Sequence, residues 1–404
     1  MVRNPFRQQA NKSDADKQCL AWPHRFGDVF CRCRLRKHLL FLSPCGAGRA
    51  QADTKHNGLG GFYQMNQYNI AIVGATGMVG RKFLQVLEER KLPVANYYLF
   101  ASARSAGQSI SFLGKDYVVE ELTPTCMDDK QIDIALFSAG GSISQTFAPI
   151  FAQKGAVVID NSSAWRMDKD VPLVVPEVNP SALAQYKAKG IIANPNCSTI
   201  QAMVALKPLY DAYGIDRIIY STYQAVSGAG VGGYNDLKEG ATGKPPQTFP
   251  KPIFGNVLPH IDVFLDNGYT KEEMKMIDET KKILGDDSLR ITATTVRVPV
   301  LHGHSESINI ELKTPFALED LRATLQAAPG VVLLDNPQQG HYPTPLESED
   351  TDEVYIGRIR RDESVDNGVN LWVVADNIRK GAATNTVQIA QELIRQWDAG
   401  IIQR

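Results

Sequence analysis

The sequence predicts an α/β protein whose first folded domain carries a doubly wound parallel sheet. Three observations carry that reading. A β-run at residues 68–73 passes through the turn Gly74-Ala-Thr-Gly77-Met-Val-Gly80 into a helical run at 81–89. Further β-runs at 97–101, 132–138 and 156–160 alternate with helical stretches. The chain has 404 residues, more than one ordinary core takes in, so a second domain is expected.

Composition bounds the function class. A hydrophobic content of 43%, a charged content of 22% and a net charge of -1 fit a soluble globular protein and give no overall bias toward nucleic acid or membrane. No apolar run approaches the roughly 18–20 residues a membrane span needs. The average hides an asymmetry. Residues 1–64 hold 11 Lys and Arg against 4 Asp, leaving 32 basic and 40 acidic residues for the rest. That segment also holds Cys19, Cys31, Cys33 and Cys45. Only Cys126 and Cys197 fall in the later chain, which reads as a cytoplasmic protein with reduced thiols.

Residues 1–64 show no sustained period. Cys31-Arg-Cys33 lacks zinc-ligand spacing, and Asp14, Asp16 and Asp28 argue against a transit peptide. Gly60-Gly61 can be encoded by a bacterial ribosome-binding sequence a few codons ahead of Met65. Residues 1–64 are therefore expected to be a translated leader or an extension, with the native start at Met65.

In the first domain, Gly74, Gly77 and Gly80 let backbone approach a pyrophosphate, and the helix that follows supplies N–H donors. The spacing is G-x-x-G-x-x-G, and the strand–turn–helix context supports a dinucleotide site. After the next β-run, Ser102-Ala-Arg104-Ser105 stands where an NAD site would place an acid. A guanidinium with hydroxyls suits a 2′-phosphate, so NADP is expected. Asn161-Ser-Ser-Ala-Trp165-Arg166 follows a β-run, and Arg166 is a candidate anion holder or a surface arginine.

Cys197 stands in Pro195-Asn196-Cys197-Ser198-Thr199, ahead of a helical run at 200–213. There the helix dipole and free N–H groups are expected to favour the thiolate. The β-run at 217–225 carries Gln224, followed by Ser227, Gly228 and Gly230. Gln224 is placed to orient a carbonyl. The Gly- and Pro-rich stretch 231–260 reads as a long loop. Thr270 and Glu273 have capping-box spacing for a helix running to Leu284. Glu272 and Lys275 then share one face, as site groups or as a surface ion pair. A strand is expected at 291–301, carrying Arg297, and another at 308–312. Between them, His302 or His304 supplies an acid/base titrating near pH 7. No third ligand cluster joins them, so no metal is expected. A last strand at 371–376 precedes a helix at 382–399 with an apolar stripe of Ala383, Val387, Ile394 and Trp397.

From Tyr68 to about Ala399 the chain resembles the bacterial-type aspartate-semialdehyde dehydrogenases. The motifs are GATGMVG at 74–80, ASARSAG at 101–107, NSSAWR at 161–166, PNCST at 195–199, STYQAVSGAG at 221–230, EEMK at 272–275, VRVPVLHGHSE at 296–306 and VVADNIRKGAA at 373–383. The resemblance implies a Rossmann-type NADP-binding domain at 65–194 and an α+β catalytic and dimerisation domain at 195–375. It implies a C-terminal segment, 376–404, returning to the first domain. Cys197 would be the nucleophile that forms an acyl-enzyme, His304 the acid/base and Gln224 the carbonyl-positioning residue. Arg297 and Glu272 would bind the substrate's α-carboxylate and α-ammonium, and Arg166, Asn196 and Lys275 its phosphate. Gly74, Thr76, Gly77, Met78, Val79, Arg104, Ser105, Ser227, Gly228 and Asn377 would contact NADP. A homodimer, or a dimer of such dimers, and a place in lysine, threonine and methionine biosynthesis are also implied. N-acetyl-glutamyl-phosphate reductase is the alternative within enzymes, disfavoured by Glu272 at a site for an acylated amine. A non-catalytic NADP-binding redox sensor is the alternative outside them.

Overall fold

A computed structural model describes residues 66–404. The expectations for residues 1–64, for Cys31 and Cys33 and for a start at Met65 fall outside the described residues. The chain runs β1 (Tyr68–Val73), α1 (Met78–Arg90), β2 (Val94–Ala101), β3 (Ser109–Phe112), β4 (Lys115–Val118), β5 (Glu120–Glu121), β6 (Ile134–Phe137), α2 (Gly141–Gln153), β7 (Val157–Asp160), β8 (Ile191–Ala193), α3 (Cys197–Tyr213) and β9 (Ile215–Gln224). It continues through α4 (Gly230–Gly240), α5 (Lys271–Leu284), β10 (Arg290–Arg297), β11 (His304–Leu312), α6 (Leu318–Gln326), β12 (Val331–Leu333), α7 (Pro345–Ser348), β13 (Val354–Asp362), β14 (Gly368–Ala375) and α8 (Asn385–Asp398).

The first sheet has the order β5-β2-β1-β6-β7-β8 and every pairing in it is parallel. Its central strands β6 and β7 are buried along their whole length, as expected where helices cover both faces. The chain leaves β1 toward β2 and later returns to β6 on the other side, which opens a crevice beyond the ends of β1 and β6. Gly74 turns there with φ +88°, and a Cβ on it would lie 2.3 Å from the Ser138 carbonyl oxygen, so only glycine fits. The short hairpin of β3 and β4, the edge strand β12 and its neighbour β13 were not evident in the sequence.

The second sheet is mixed, ordered β10-β9-β11-β14-β13-β12. Paired residues project to one face, and that face packs on α3, whose residues Ile200 to Leu209 are almost wholly buried. Ala293, Tyr220, Ile308 and Leu371 form one transverse row. The next row is Thr295, Thr222, Glu306 and Val373. The row at the strand ends pairs Arg297 with Gln224. His304 continues it, just past the Ser305–Tyr223 pair. The sheet register thus delivers three predicted site residues to one edge.

Two expected elements differ. The stretch 231–260 begins with a helix, α4, despite its glycines. Those glycines allow close packing: a Cβ on Gly233 would lie 2.3 Å from the Val226 carbonyl oxygen, and one on Gly232 2.3 Å from Thr248 Oγ1. The strand expected at 291–301 ends at Arg297, because Pro299 has no N–H to continue a ladder. The C-terminal helix begins as a π-helical turn, Arg379–Thr384, before α8. The α8 stripe of Val387, Ile394 and Trp397 is buried with Ile70 and Ile72 of β1 and Phe83 of α1, which packs the helix on the first sheet.

Candidate active site

Asn196 caps α3. Its Oδ1 accepts N–H bonds from Ser198 at 3.0 Å and Thr199 at 3.4 Å, and this fixes the turn that carries Cys197. Cys197, partly exposed, opens on a cleft of about 510 Å³. Gly381 of the π-helical turn lies against it, so that a Cβ there would stand 2.8 Å from Cys197 Cβ. The expected thiolate is not favoured in this environment. Burial and the Glu272 carboxylate push the thiol up to about 12, against the pull of Arg166, Arg297 and the Ser198 N–H. The helix terminus is present as predicted, but desolvation outweighs it.

At the sheet edge, Arg297 donates from Nη1 to the Ala225 carbonyl at 2.7 Å. It is 5% exposed, its Nε has no partner, and among the described residues no carboxylate pairs with it. A buried, unpaired guanidinium beside a cleft is an anion site. His304 is fully buried. Its Nδ1 accepts the Ala225 N–H at 3.0 Å, and its Nε2 has no partner. Burial and the nearby Arg297 hold His304 down at about 3, not near neutrality as the residue type suggested. Cys197 and His304 share no hydrogen bond. Gly228 lies against both groups: a Cβ on it would lie 2.8 Å from Arg297 Nη1 and 3.4 Å from His304 Nε2. His302 sits elsewhere, against the Tyr234 hydroxyl.

Helix α5 supplies a charged stripe. Thr270 and Glu273 form the capping box, as their spacing predicts. Glu272 then turns inward and accepts from Asn196 Nδ2 at 2.9 Å, Gln224 Nε2 at 3.1 Å and Lys275 Nζ at 2.9 Å. Burial alone would raise its pKa, yet Lys275 and these hydrogen bonds hold it at about 2. Glu272 and Lys275 are therefore an ion pair and also cleft-lining groups. Two further residues share the stripe. Glu279 accepts from Arg166 Nη1 at 3.1 Å and the Asn196 N–H at 2.7 Å. Lys282 donates to the carbonyls of Arg166, Asp168 and Val171 at 2.6–2.8 Å. Together they lock the Arg166 loop and the Cys197 turn to one helix. The spacing 272, 275, 279, 282 marks one helical face and was the available signal. Asp262, which accepts from Lys275 at 2.9 Å, carried no signal.

One side of the cleft is lined by Met78 and Val79 at the start of α1, with Ser227 and Asn377. Gly77 gives α1 no side-chain cap, so its first-turn N–H groups are available to an anion. Asn377 Oδ1 accepts from the Gly303 N–H at 3.0 Å, and its amide bonds Ser227 Oγ at 3.0 Å. Thr76 Oγ1 meets Ser105 Oγ at 3.3 Å, joining the glycine turn to the loop after β2. Arg104 is exposed beside it and makes no ion pair among the described residues. Gly74, Gly77, Thr76, Arg104 and Ser105 shape the turn or its rim, not the 510 Å³ cleft itself.

The chain is similar to known proteins over most of its length. Residues 69–186 match the semialdehyde dehydrogenase NAD binding domain and residues 206–380 the semialdehyde dehydrogenase dimerisation domain. The aspartate-semialdehyde dehydrogenase of Aquifex aeolicus is 57% identical over 336 residues, which cover 81% of this chain and 98% of that protein. The crystal structure of aspartate semialdehyde dehydrogenase II complexed with ASA from Vibrio cholerae superposes with a TM-score of 0.78 at 49% identity, covering 82% of this chain and 99% of that one. The Candida albicans aspartate semialdehyde dehydrogenase with NADP superposes with a TM-score of 0.66 at 28% identity, covering 82% and 99%. The chain belongs to the aspartate-semialdehyde dehydrogenase family.

Proposed function

We propose that the chain converts L-4-aspartyl phosphate to L-aspartate 4-semialdehyde and phosphate with NADPH, through a thioester on Cys197, in lysine, threonine and methionine biosynthesis. One observation carries the reading. Cys197 at the start of α3 shares its cleft with Arg297, an unpaired buried guanidinium, and Glu272, an ionised carboxylate. Those two charges match the α-carboxylate and α-ammonium of an aspartyl group.

The substrate's ammonium against Glu272 offsets the carboxylate that helps hold the thiol in its protonated form. Cys197 Sγ then bonds to the acyl carbon as the carbon–oxygen bond to phosphate breaks, and the thiol proton leaves with the phosphate. Arg166 and Lys275, with Asn196, receive the leaving charge. Lys275 is bound to Asp262 and Glu272, so taking a phosphate means giving up part of that pairing. A bound nicotinamide dinucleotide supplies the hydride that reduces the thioester. His304, carrying its proton on Nε2, donates a hydrogen bond to the oxygen that gains charge, and Gln224 holds the same group in line. Collapse of the adduct frees the aldehyde and returns Cys197.

The uncapped first turn of α1 and the Gly74 turn suit a pyrophosphate. Arg104, exposed and unpaired beside Ser105, suits a 2′-phosphate and supports NADP over NAD. We also infer a cytoplasmic homodimer, with domain limits at 65–194 and 195–375 and a returning segment at 376–404. No described helix is long and apolar enough to cross a membrane. The test is NADPH formation from aspartate semialdehyde and NADP with and without phosphate. Phosphate-dependent turnover supports the reading, and phosphate-independent or absent turnover in reduced enzyme contradicts it.

A further inference from the structure

Glu306 has no place in the reaction so far, yet it is one of the most buried ionisable groups in the chain. It lies one row behind His304 on the face of the second sheet that packs on α3, between Thr222 and Val373. It is 0% exposed, and neither of its carboxyl oxygens has a hydrogen-bond partner. Ionised, it would be a desolvated charge with two unanswered acceptors, which a fold tolerates only with a cation beside it. No cation among the described residues answers it: burial alone acts on this carboxyl, and it acts to keep the proton. Tyr220 on β9 feels the Glu306 charge, and its hydroxyl is engaged with Thr280; His304 stands two residues before Glu306 on the same strand.

The helix above supplies the complementary clue. Gln201 of α3 donates from Nε2 to the His304 carbonyl at 3.2 Å, while its own Oε1 is buried and lacks a donor. Ser198 Oγ and Thr295 Oγ1 nearby are also unpartnered. Glu306 Oε1, Glu306 Oε2 and Gln201 Oε1 are acceptors that no donor reaches. Protonation turns one Glu306 oxygen from an acceptor into a donor.

We propose that Glu306 is a neutral carboxylic acid that acts as a positioning residue for His304, sharing its proton with Gln201 directly or across one trapped water. The link ties β11, which carries His304, to α3, which carries Cys197. It thereby holds the distance between the thiol and the imidazole, two groups that no hydrogen bond joins. Part of the inference rests on the function proposed above, since the kinetic consequence needs His304 and Cys197 to act on one substrate. The protonation state does not depend on it.

The test combines spectroscopy with a mutant cycle on the full-length protein. Infrared difference spectra between wild type and Glu306→Gln, recorded at neutral pH without substrate, are expected to show loss of a protonated-carboxyl C=O band. Loss of a carboxylate band overturns the proposal whatever the enzyme's activity. Gln at 306 can still donate to Gln201, so Glu306→Gln is expected to keep kcat within about twofold and the wild-type pH profile. Glu306→Leu and Gln201→Leu are each expected to lower kcat about tenfold with KM little changed, and the double variant no further. Additive losses, or a Glu306→Gln as impaired as Glu306→Leu, would show that the two side chains do not work through each other. Should Glu306→Leu fail to fold, the infrared band and the Glu306→Gln pH profile still decide.

Discussion

The backbone N–H of Ala225 donates to His304 Nδ1 at 3.0 Å. That bond decides which nitrogen faces the chemistry. With Nδ1 occupied as an acceptor, the neutral ring carries its proton on Nε2, and an imidazolium would set two donors against each other. In the proposed reaction His304 would therefore donate a hydrogen bond to the developing oxyanion. His304→Ala is expected to lower kcat about 10²–10³-fold, the range for loss of one oxyanion donor. His302→Ala, at a residue bonded to Tyr234 outside the cleft, is expected to stay within about threefold. Equal losses in the two variants would overturn the assignment.

The same burial makes His304 a pH liability. Its folded pKa is depressed from 6.5 to about 3, so the unfolded chain binds the extra proton first. The stability that the neutral ring preserves is complete above the unfolded pKa near 6.5 and falls as pH drops toward about 3. Glu272, held at about 2, adds a loss of the same sign below its ordinary 4.5. His304→Asn, which cannot titrate, is expected to flatten the acid limb of stability by on the order of several kcal/mol. Denaturant unfolding of both proteins between neutral pH and pH ~4 checks this. Parallel acid limbs would mean that His304 is not the buried titrating group.

Glu279 is expected to matter through Arg166. It binds Arg166 Nη1 and the Asn196 N–H together, and so sets one phosphate candidate against the turn that holds the thiol. Glu279→Gln keeps a neutral acceptor and removes the charge. KM for phosphate, measured in the direction that consumes it, is expected to rise about tenfold while KM for NADP holds. A rise shared by both ligands would point to general damage.

Gly381 tests the packing behind the nucleophile. A methyl group there would lie 2.8 Å from Cys197 Cβ, and the nearby atoms include α3 backbone that cannot swing aside. Gly381→Ala is expected to cost about 1–3 kcal/mol of stability, the range for overpacking, and to slow modification of Cys197 by a thiol reagent. Wild-type stability and reactivity would show that the π-helical turn gives way easily.

The parts of this molecule legible in the sequence are those set by local chemistry. A strand, a glycine turn and a helix start announced the crevice at Gly74. Thr270 and Glu273 announced the start of α5, and their spacing put Glu272 and Lys275 on one face without showing that this face turns inward. What could not be read depends on contacts between distant segments. The glycines of α4 look like loop residues until Val226 and Thr248 are seen against them. The helix terminus at Cys197 suggested a thiolate, because the sequence does not show how deeply the cysteine is covered or that Glu272 stands close. Glu279 and Asp262 acquire roles only through Arg166 and Lys275.

The central claim is that Cys197 carries the acyl group, and a pre-steady-state burst tests it most directly. Reduced enzyme mixed with aspartate semialdehyde and NADP without phosphate should release about one NADPH per active site and then stall, with the acyl mass on Cys197. Added phosphate should restart turnover, and Cys197→Ser should give neither burst nor adduct while still binding NADPH. Steady turnover without phosphate, or a burst in Cys197→Ser, would contradict the account.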